Sequence, residues 1–103
     1  MTQPKIVFSI DSDGWCEQAR KLPSPHYNER AAPNDISLLV VHGISLPPGE
    51  FGGPFIDDLF LGRLDPDAHP YFAEIHQLRV SAHCLIRRDG ELVQYVPFGA
   101  RSW

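Results

Sequence analysis

The run I-S-L-L-V-V-H-G-I-S-L-P-P-G, from Ile36 to Gly49, sets the first expectation about the architecture. Ile36 to Val41 is almost wholly apolar, and Leu38, Leu39, Val40 and Val41 do not alternate with polar residues. A strand covered on both faces reads this way, because neither side of the pleat meets water. His42 and Gly43 follow at once, and Pro47-Pro48-Gly49 then forces an irregular loop. The expectation is a central strand of an α/β domain with an imidazole at its carboxyl end. Ligands collect at that end of open α/β sheets.

Working outward, Gly49 to Gly53 places three glycines around Glu50 and Phe51, a permissive loop following His42. Pro54 to Leu61 predicts a short helix with Phe55 and Leu59 inward, and Pro70 to Gln77 a second, with Pro70 suited to its first position. Val80 to Arg88 reads as a strand, Asp89-Gly90 as a two-residue hairpin turn, and Glu91 to Val96 as the return strand. Upstream, Asp11-Ser12-Asp13 suggests a cap for a helix from Trp15 to Leu22, which Pro23 and Pro25 end. Residues 1–10 read as a short strand or a loose arm, and His26 to Asp35 as surface loop. A central strand needs helices over both faces, and only three short ones are predicted. The sequence-based reading is therefore the N-terminal part, residues 1–103, of one larger α/β domain.

Composition narrows the function. A chain of 103 residues is one domain at most, with 43% hydrophobic and 21% charged residues as in ordinary globular proteins. The net charge is −4, and no block of five Lys or Arg occurs, which argues against nucleic acid and anionic membrane as partners. Ile6 to Ile10 is too short for the core of a signal peptide, and no stretch is long enough to span a membrane. Cys16 and Cys84 have no metal-type spacing, and Cys84 reads as a small hydrophobe within a strand. A reducing, cytoplasmic setting fits.

The chemistry-bearing candidates are few. His42 has the right place for a metal or catalytic role, but a catalytic zinc needs three protein ligands and an open position for water. His69, His76 and His83 recur at seven-residue intervals, yet Pro70 and the change to a strand break the periodicity. The structural reading (a helix cap, a surface side chain and a packed strand residue) is the simpler one for them. His26 reads as structural or exposed. Arg79 enters a strand from a helix, where a guanidinium either reaches a carboxylate or sugar substituent in bidentate fashion or simply meets solvent. Arg87 and Arg88 read as solvated hairpin charges. Glu50, Asp57 and Asp58 have no spacing that marks an acid/base pair.

Longer motifs say more. P-S-P-H-Y (23–27), V-V-H-G-I-S-L-P-P-G-E-F-G-G-P (40–54), D-P-D-A-H-P-Y-F (65–72), L-R-V-S-A-H-C-L-I-R-R-D-G (78–90) and V-Q-Y-V-P-F (93–98) resemble the AmpD-type amidases. These are the 1,6-anhydro-N-acetylmuramoyl-L-alanine amidases of cell-wall recycling. The resemblance runs from about Trp15 to Trp103. It extends more distantly to phage-lysozyme-type amidases and peptidoglycan-recognition proteins through H-x-x-I-x-R-D-G at His83 to Gly90.

This resemblance implies an N-acetylmuramoyl-L-alanine amidase-like fold, a mixed β-sheet flanked by helices, with one zinc held by two His and one Asp. It implies hydrolysis of the amide joining the lactyl group of anhydromuramic acid to L-alanine, in the cytoplasm, by a monomer acting on a muropeptide. His42 matches the first zinc ligand. Arg79 matches a muropeptide contact, and Val41 and Trp103 match positions that line the groove. Gly43 stands where the family carries Asn, which removes an amide from the groove. The remaining ligands and the Glu and Lys expected to assist catalysis fall beyond the chain end, so the 103 residues alone are expected to be inactive. Ala82 occupies the place where phage-type amidases carry a catalytic Tyr, so it offers no substitute. The rival reading is a non-catalytic muropeptide-binding or regulatory module.

Overall fold

The computed structural model describes residues 7–31 and 36–103. In chain order the elements are β1 (Arg20–Lys21), β2 (Tyr27–Glu29), α1 (Phe55–Phe60), α2 (Phe72–Ile75), β3 (Cys84–Ile86), β4 (Leu92–Gln94) and β5 (Ala100–Ser102). They form a mixed three-stranded sheet in the order β1-β4-β3 and an antiparallel pair, β2 with β5. In the larger sheet β4 is central. Arg20 pairs with Val93 in parallel on one edge, and Leu85 with Val93 antiparallel on the other. The amides of Leu22 and Ser24 extend the β1 edge by donating to the carbonyls of Gln94 and Tyr95.

The segment V-Q-Y-V is therefore the strand with both faces covered: Val93, Gln94, Tyr95 and Val96 are all completely buried. Gln94 is tolerated there because its amide is satisfied at both ends. Its Oε1 accepts the Cys16 N–H at 2.6 Å, and its Nε2 donates to the carbonyls of Gly14 and Val96 at 2.9 and 3.0 Å. Leu46, Leu59, Phe60, Leu64 and Phe72 complete the core around Val93, Tyr95 and Val96. The Phe60 ring meets Tyr95 edge-on with centroids 4.9 Å apart, a contact worth about 0.5–1.5 kcal/mol beyond the area it buries.

A buried carboxylate ties this core together. Asp57 on α1 accepts a hydrogen bond from the Tyr95 hydroxyl. Its other oxygen lies 3.1 Å from Arg20 Nη2, and Arg87 Nη1 stands 3.8 Å away. Arg20 also reaches Glu91 at 3.1 Å. Arg87 is only 14% exposed and donates to the Gly53 carbonyl, so it is not a solvated hairpin charge as its position beside the turn suggested. Helix α1, strands β1 and β4, the hairpin and the Gly-rich loop thus converge on one acidic side chain.

Several local expectations are corrected. Ile36–Val41 is not a buried central strand: residues 36–53 form no helix or strand, and Leu39 and Val41 are 86% and 82% exposed. A strand exists only by pairing, and among the described residues no strand pairs with this run. Its apolar, β-branched composition cannot make one alone. No helix forms over Trp15–Leu22. The Asp11 carboxylate does accept amides downstream, from Asp13 and Trp15 at 2.9 and 3.0 Å, but the chain folds back into a bridge between Ile10 and Cys16. The expected loop from His26 contains β2, while residues 1–6 and 32–35 lie outside the described residues. The Pro54–Leu61 helix is present as α1, and the Pro70–Gln77 helix contracts to α2 with turns on either side. The 89–90 turn is a three-residue loop: Gly90 N–H donates to the Arg87 carbonyl, Arg87 N–H to that of Glu91, and Gly90 takes φ +90°. That is a type I turn closed by a bulge at glycine.

Two predictions follow from the buried carboxylate and its neighbours. Asp57→Ala leaves the buried Tyr95 hydroxyl without its acceptor and the Arg87 guanidinium without its nearby counter-charge, and is expected to cost about 3 kcal/mol in urea unfolding. Burial first, and then the Asp57 carboxylate, push the Tyr95 phenol well above its ordinary value of 10.0. Burial likewise pushes the Cys84 thiol from 9.0 to about 11. Both folded-state values lie above the unfolded ones, so the unfolded chain releases these protons first as pH rises. Stability from these two groups is complete below pH 9.0 and is lost above it, through the 9.0-to-11 window for the thiol. Cys84→Ala is expected to move the onset of that loss up to the tyrosine range near pH 10 in urea midpoints measured against pH.

Candidate functional site

An open cleft of about 540 Å³ among the described residues is lined by His26, Gly62, His76, Gln77, Leu78 and Arg79. The end of α2 shapes it. The Leu78 amide still donates to the Ile75 carbonyl at 2.9 Å, after which the chain straightens and leaves the Arg79 side chain exposed. Val80 turns back toward the core, and its carbonyl accepts the Nδ1–H of the buried His26 at 3.0 Å. A carbonyl only accepts, so the proton sits on Nδ1 and Nε2 is left as an acceptor. That edge faces Gly62, where an added Cβ would stand 3.2 Å from Nε2, in a backbone with φ +74°. Glycine at 62 therefore both makes the turn after α1 and leaves room for the imidazole.

Trp103 packs on His26. Its indole lies parallel to the His26 imidazole, 6° between planes and 6.2 Å between centroids, and its Nε1–H donates to Asn28 Oδ1 at 2.9 Å. The backbone is locked as well: Ser81 N–H donates to the Trp103 carbonyl at 2.8 Å, and Trp103 N–H to Ser81 Oγ at 3.1 Å. Ser81 Oγ in turn donates to the His26 carbonyl at 2.6 Å. The β2–β5 pairing, with Tyr27 opposite Ser102, delivers Asn28 and Trp103 to one place. Trp103 and the backbone next to Arg79, far apart in sequence, are thus both tied to His26.

Val41, His42 and Gly43 sit differently. All three are exposed, and among the described residues no hydrogen bond or ion pair involves them. The chain rejoins the core just beyond them, through half-buried Ile44 and buried Leu46. A Cβ at Gly43 would meet nothing within 4 Å and its φ is not left-handed, so the fold does not require glycine there. The Gly-rich loop is held to the hairpin: the Arg88 guanidinium lies 3.5 Å above the Phe51 ring, and Arg87 donates to the Gly53 carbonyl.

The other histidines differ in part from their expected roles: α2 has no side-chain cap, half-buried His76 lines the cleft, and His83 lies just ahead of β3. His69 Nδ1 accepts the Tyr71 amide at 3.0 Å ahead of α2. His83 Nε2–H donates to the Ala100 carbonyl at 2.8 Å while its ring stacks on Phe98. Cys16 and Cys84 are unpaired thiols. Among the described residues no three His, Cys, Asp or Glu side chains converge as a metal site would need. Asn28, Ser81 and the stacking role of His26 escaped the sequence reading. The P-S-P-H-Y motif contains His26, but no spacing ties it to Trp103.

Comparison with known proteins identifies the family. The family of N-acetylmuramoyl-L-alanine amidases matches residues 32–103. The Salmonella typhimurium protein named 1,6-anhydro-N-acetylmuramyl-L-alanine amidase AmpD is 71% identical over 94 residues, 91% of this chain and 50% of that one. The Escherichia coli protein of the same name is 69% identical over 90 residues, 87% of this chain and 49% of its own. Among solved structures, the crystal structure of a selenomethionine AmpD derivative superposes with a TM-score of 0.88 at 67% identity, covering 92% of this chain and 52% of that one. The solution structure of Citrobacter freundii AmpD gives 0.54 at 66% identity, covering 92% and 51%. The chain therefore spans about half the length of the relatives it matches. The family match spans β3, β4, β5 and both helices, and the chain is a member of the N-acetylmuramoyl-L-alanine amidase family.

Proposed function

We propose that residues 1–103 correspond to the N-terminal part of an amidase domain that hydrolyses the amide between the lactyl group of (anhydro-)N-acetylmuramic acid and L-alanine in muropeptides. The setting is cell-wall recycling in the cytoplasm, and the domain acts as a monomer. The observation that carries this reading is His26, which lines the cleft with Arg79 and stacks on the Trp103 indole. An exposed guanidinium and an exposed indole suit a ligand that carries peptide carboxylates and a sugar face. Unpaired Cys16 and Cys84 are compatible with a reducing compartment. None of the described helices is long and apolar enough to cross a membrane.

The family reading includes a zinc ion, with His42 as one donor and Val41 and Gly43 beside it on the groove. The described residues do not assemble a three-donor set, so we derive no step through the metal. The 103-residue chain alone is accordingly read as inactive. The cleft beside Arg79, set against the lack of a three-donor set among the described residues, favours one alternative: a muropeptide-binding or regulatory module without catalysis.

Titration of the purified chain with an anhydromuramoyl peptide is expected to show binding without cleavage, weakened about tenfold in Arg79→Ala. No binding would contradict the groove assignment, and turnover by the chain alone would contradict its inactivity. The two readings separate when the part of Citrobacter freundii AmpD that this chain does not match is added in trans. Zinc-dependent cleavage that is lost in His42→Ala supports the amidase, and binding without cleavage supports the module. Gly43→Asn, which restores the family's amide in open space, is expected to leave stability within about 0.5 kcal/mol while tightening the peptide titration.

A further inference from the structure

We propose that His26 is a positioning residue of the groove: it fixes the Trp103 indole and the backbone that carries Arg79 relative to one another. This rests on the reading, above, that Arg79 and Trp103 border the muropeptide groove. The geometry is specific. The imidazole is 7% exposed and lies parallel to the indole at 6.2 Å. Its Nδ1–H holds the carbonyl of Val80, the residue next to Arg79. Its own amide donates to Ser24 Oγ at 3.0 Å, and Ser24 Oγ donates to the Phe60 carbonyl at the end of α1. Its carbonyl accepts from Ser81, which bonds Trp103 through both backbone and side chain.

One side chain therefore receives its position from the core and passes it to two surface residues by different means, a stacked ring and a hydrogen bond. The arrangement exceeds what filling space would need. Any apolar group would fill the volume between Gly62 and Val80, but only a ring that also donates from the Nδ1 position meets both partners. Asn28 sets the outer edge of the indole through Nε1, so the ring is held from below and from the side. Long, freely rotating side chains lose several rotamers on binding, and a wall held in advance avoids part of that loss.

The test uses the 103-residue chain carrying Trp15→Phe, so that Trp103 is the sole indole. His26→Asn keeps a donor at the Nδ1 position and removes the ring, whereas His26→Ala removes both. In both, without ligand, Trp103 emission is expected to shift to the red and its anisotropy to fall, with unchanged far-ultraviolet circular dichroism in His26→Asn. With an anhydromuramoyl peptide, the dissociation constant is expected to rise about threefold in His26→Asn and about tenfold in His26→Ala. Unchanged Trp103 emission and anisotropy in folded His26→Asn would overturn the proposal, as would altered emission with an unchanged dissociation constant. If the Trp15→Phe parent fails to bind the peptide while His26→Asn alters the Trp103 signal, the positioning role stands and the groove reading falls. Should His26→Ala not fold, His26→Asn carries the decision.

Discussion

The Asp57 carboxylate is the constraint on which the rest of the structure depends. It is buried, it accepts from the Tyr95 hydroxyl, and it is flanked by the guanidiniums of Arg20 and Arg87. A charge in that place is tolerable only because every neighbour is complementary. Removing the carboxylate leaves the Tyr95 hydroxyl buried without its acceptor. The carboxylate couples α1 to the central strand β4, and Arg20 and Arg87 extend the coupling to β1 and the hairpin. Through Arg87 and Arg88 the Gly-rich loop is anchored as well.

That framework divides the candidate site into two parts with different physics. The wall bearing Arg79 and Trp103 is tied to the core by His26, Ser24 and Ser81, so its geometry follows from packing. The segment bearing Val41, His42 and Gly43 has no such ties among the described residues. It carries a run of large apolar side chains, Ile36 to Val41, into water. Covering a leucine or valine is worth about 1.5–3 kcal/mol, so a run of this kind is a standing demand for a neighbour on each face.

The same contrast explains which features were legible in the sequence. The hairpin, α1 and α2 were read correctly in kind because local signals make them: Asp89-Gly90, Pro54, Pro70 and short apolar periodicity. The central strand was assigned to Ile36–Val41 on a sound rule, that a run without alternation is covered on both faces. Val93–Val96 obeys the same rule, yet Gln94 disguised it, since nothing local shows that its amide finds Cys16, Gly14 and Val96. Pairing decides between two such runs, and pairing is not local. Asp57, Tyr95 and Arg87 were missed for a similar reason, because sequence separation hides a shared buried charge. Motif resemblance pointed to Arg79 and Trp103, but their link through His26 was visible only in three dimensions.

Amide hydrogen exchange, followed residue by residue, tests this division most directly. The expected result is slow exchange at Leu22, Ser24, Ser81 and Tyr95, whose amides donate across the sheet and the cleft wall, with Ser37 to Gly43 exchanging at the rate of an unstructured chain. Protection of Ser37 to Gly43 equal to that of Tyr95 would contradict the account. It would mean that the segment leading to His42 is a paired strand, held as firmly as the framework around Asp57.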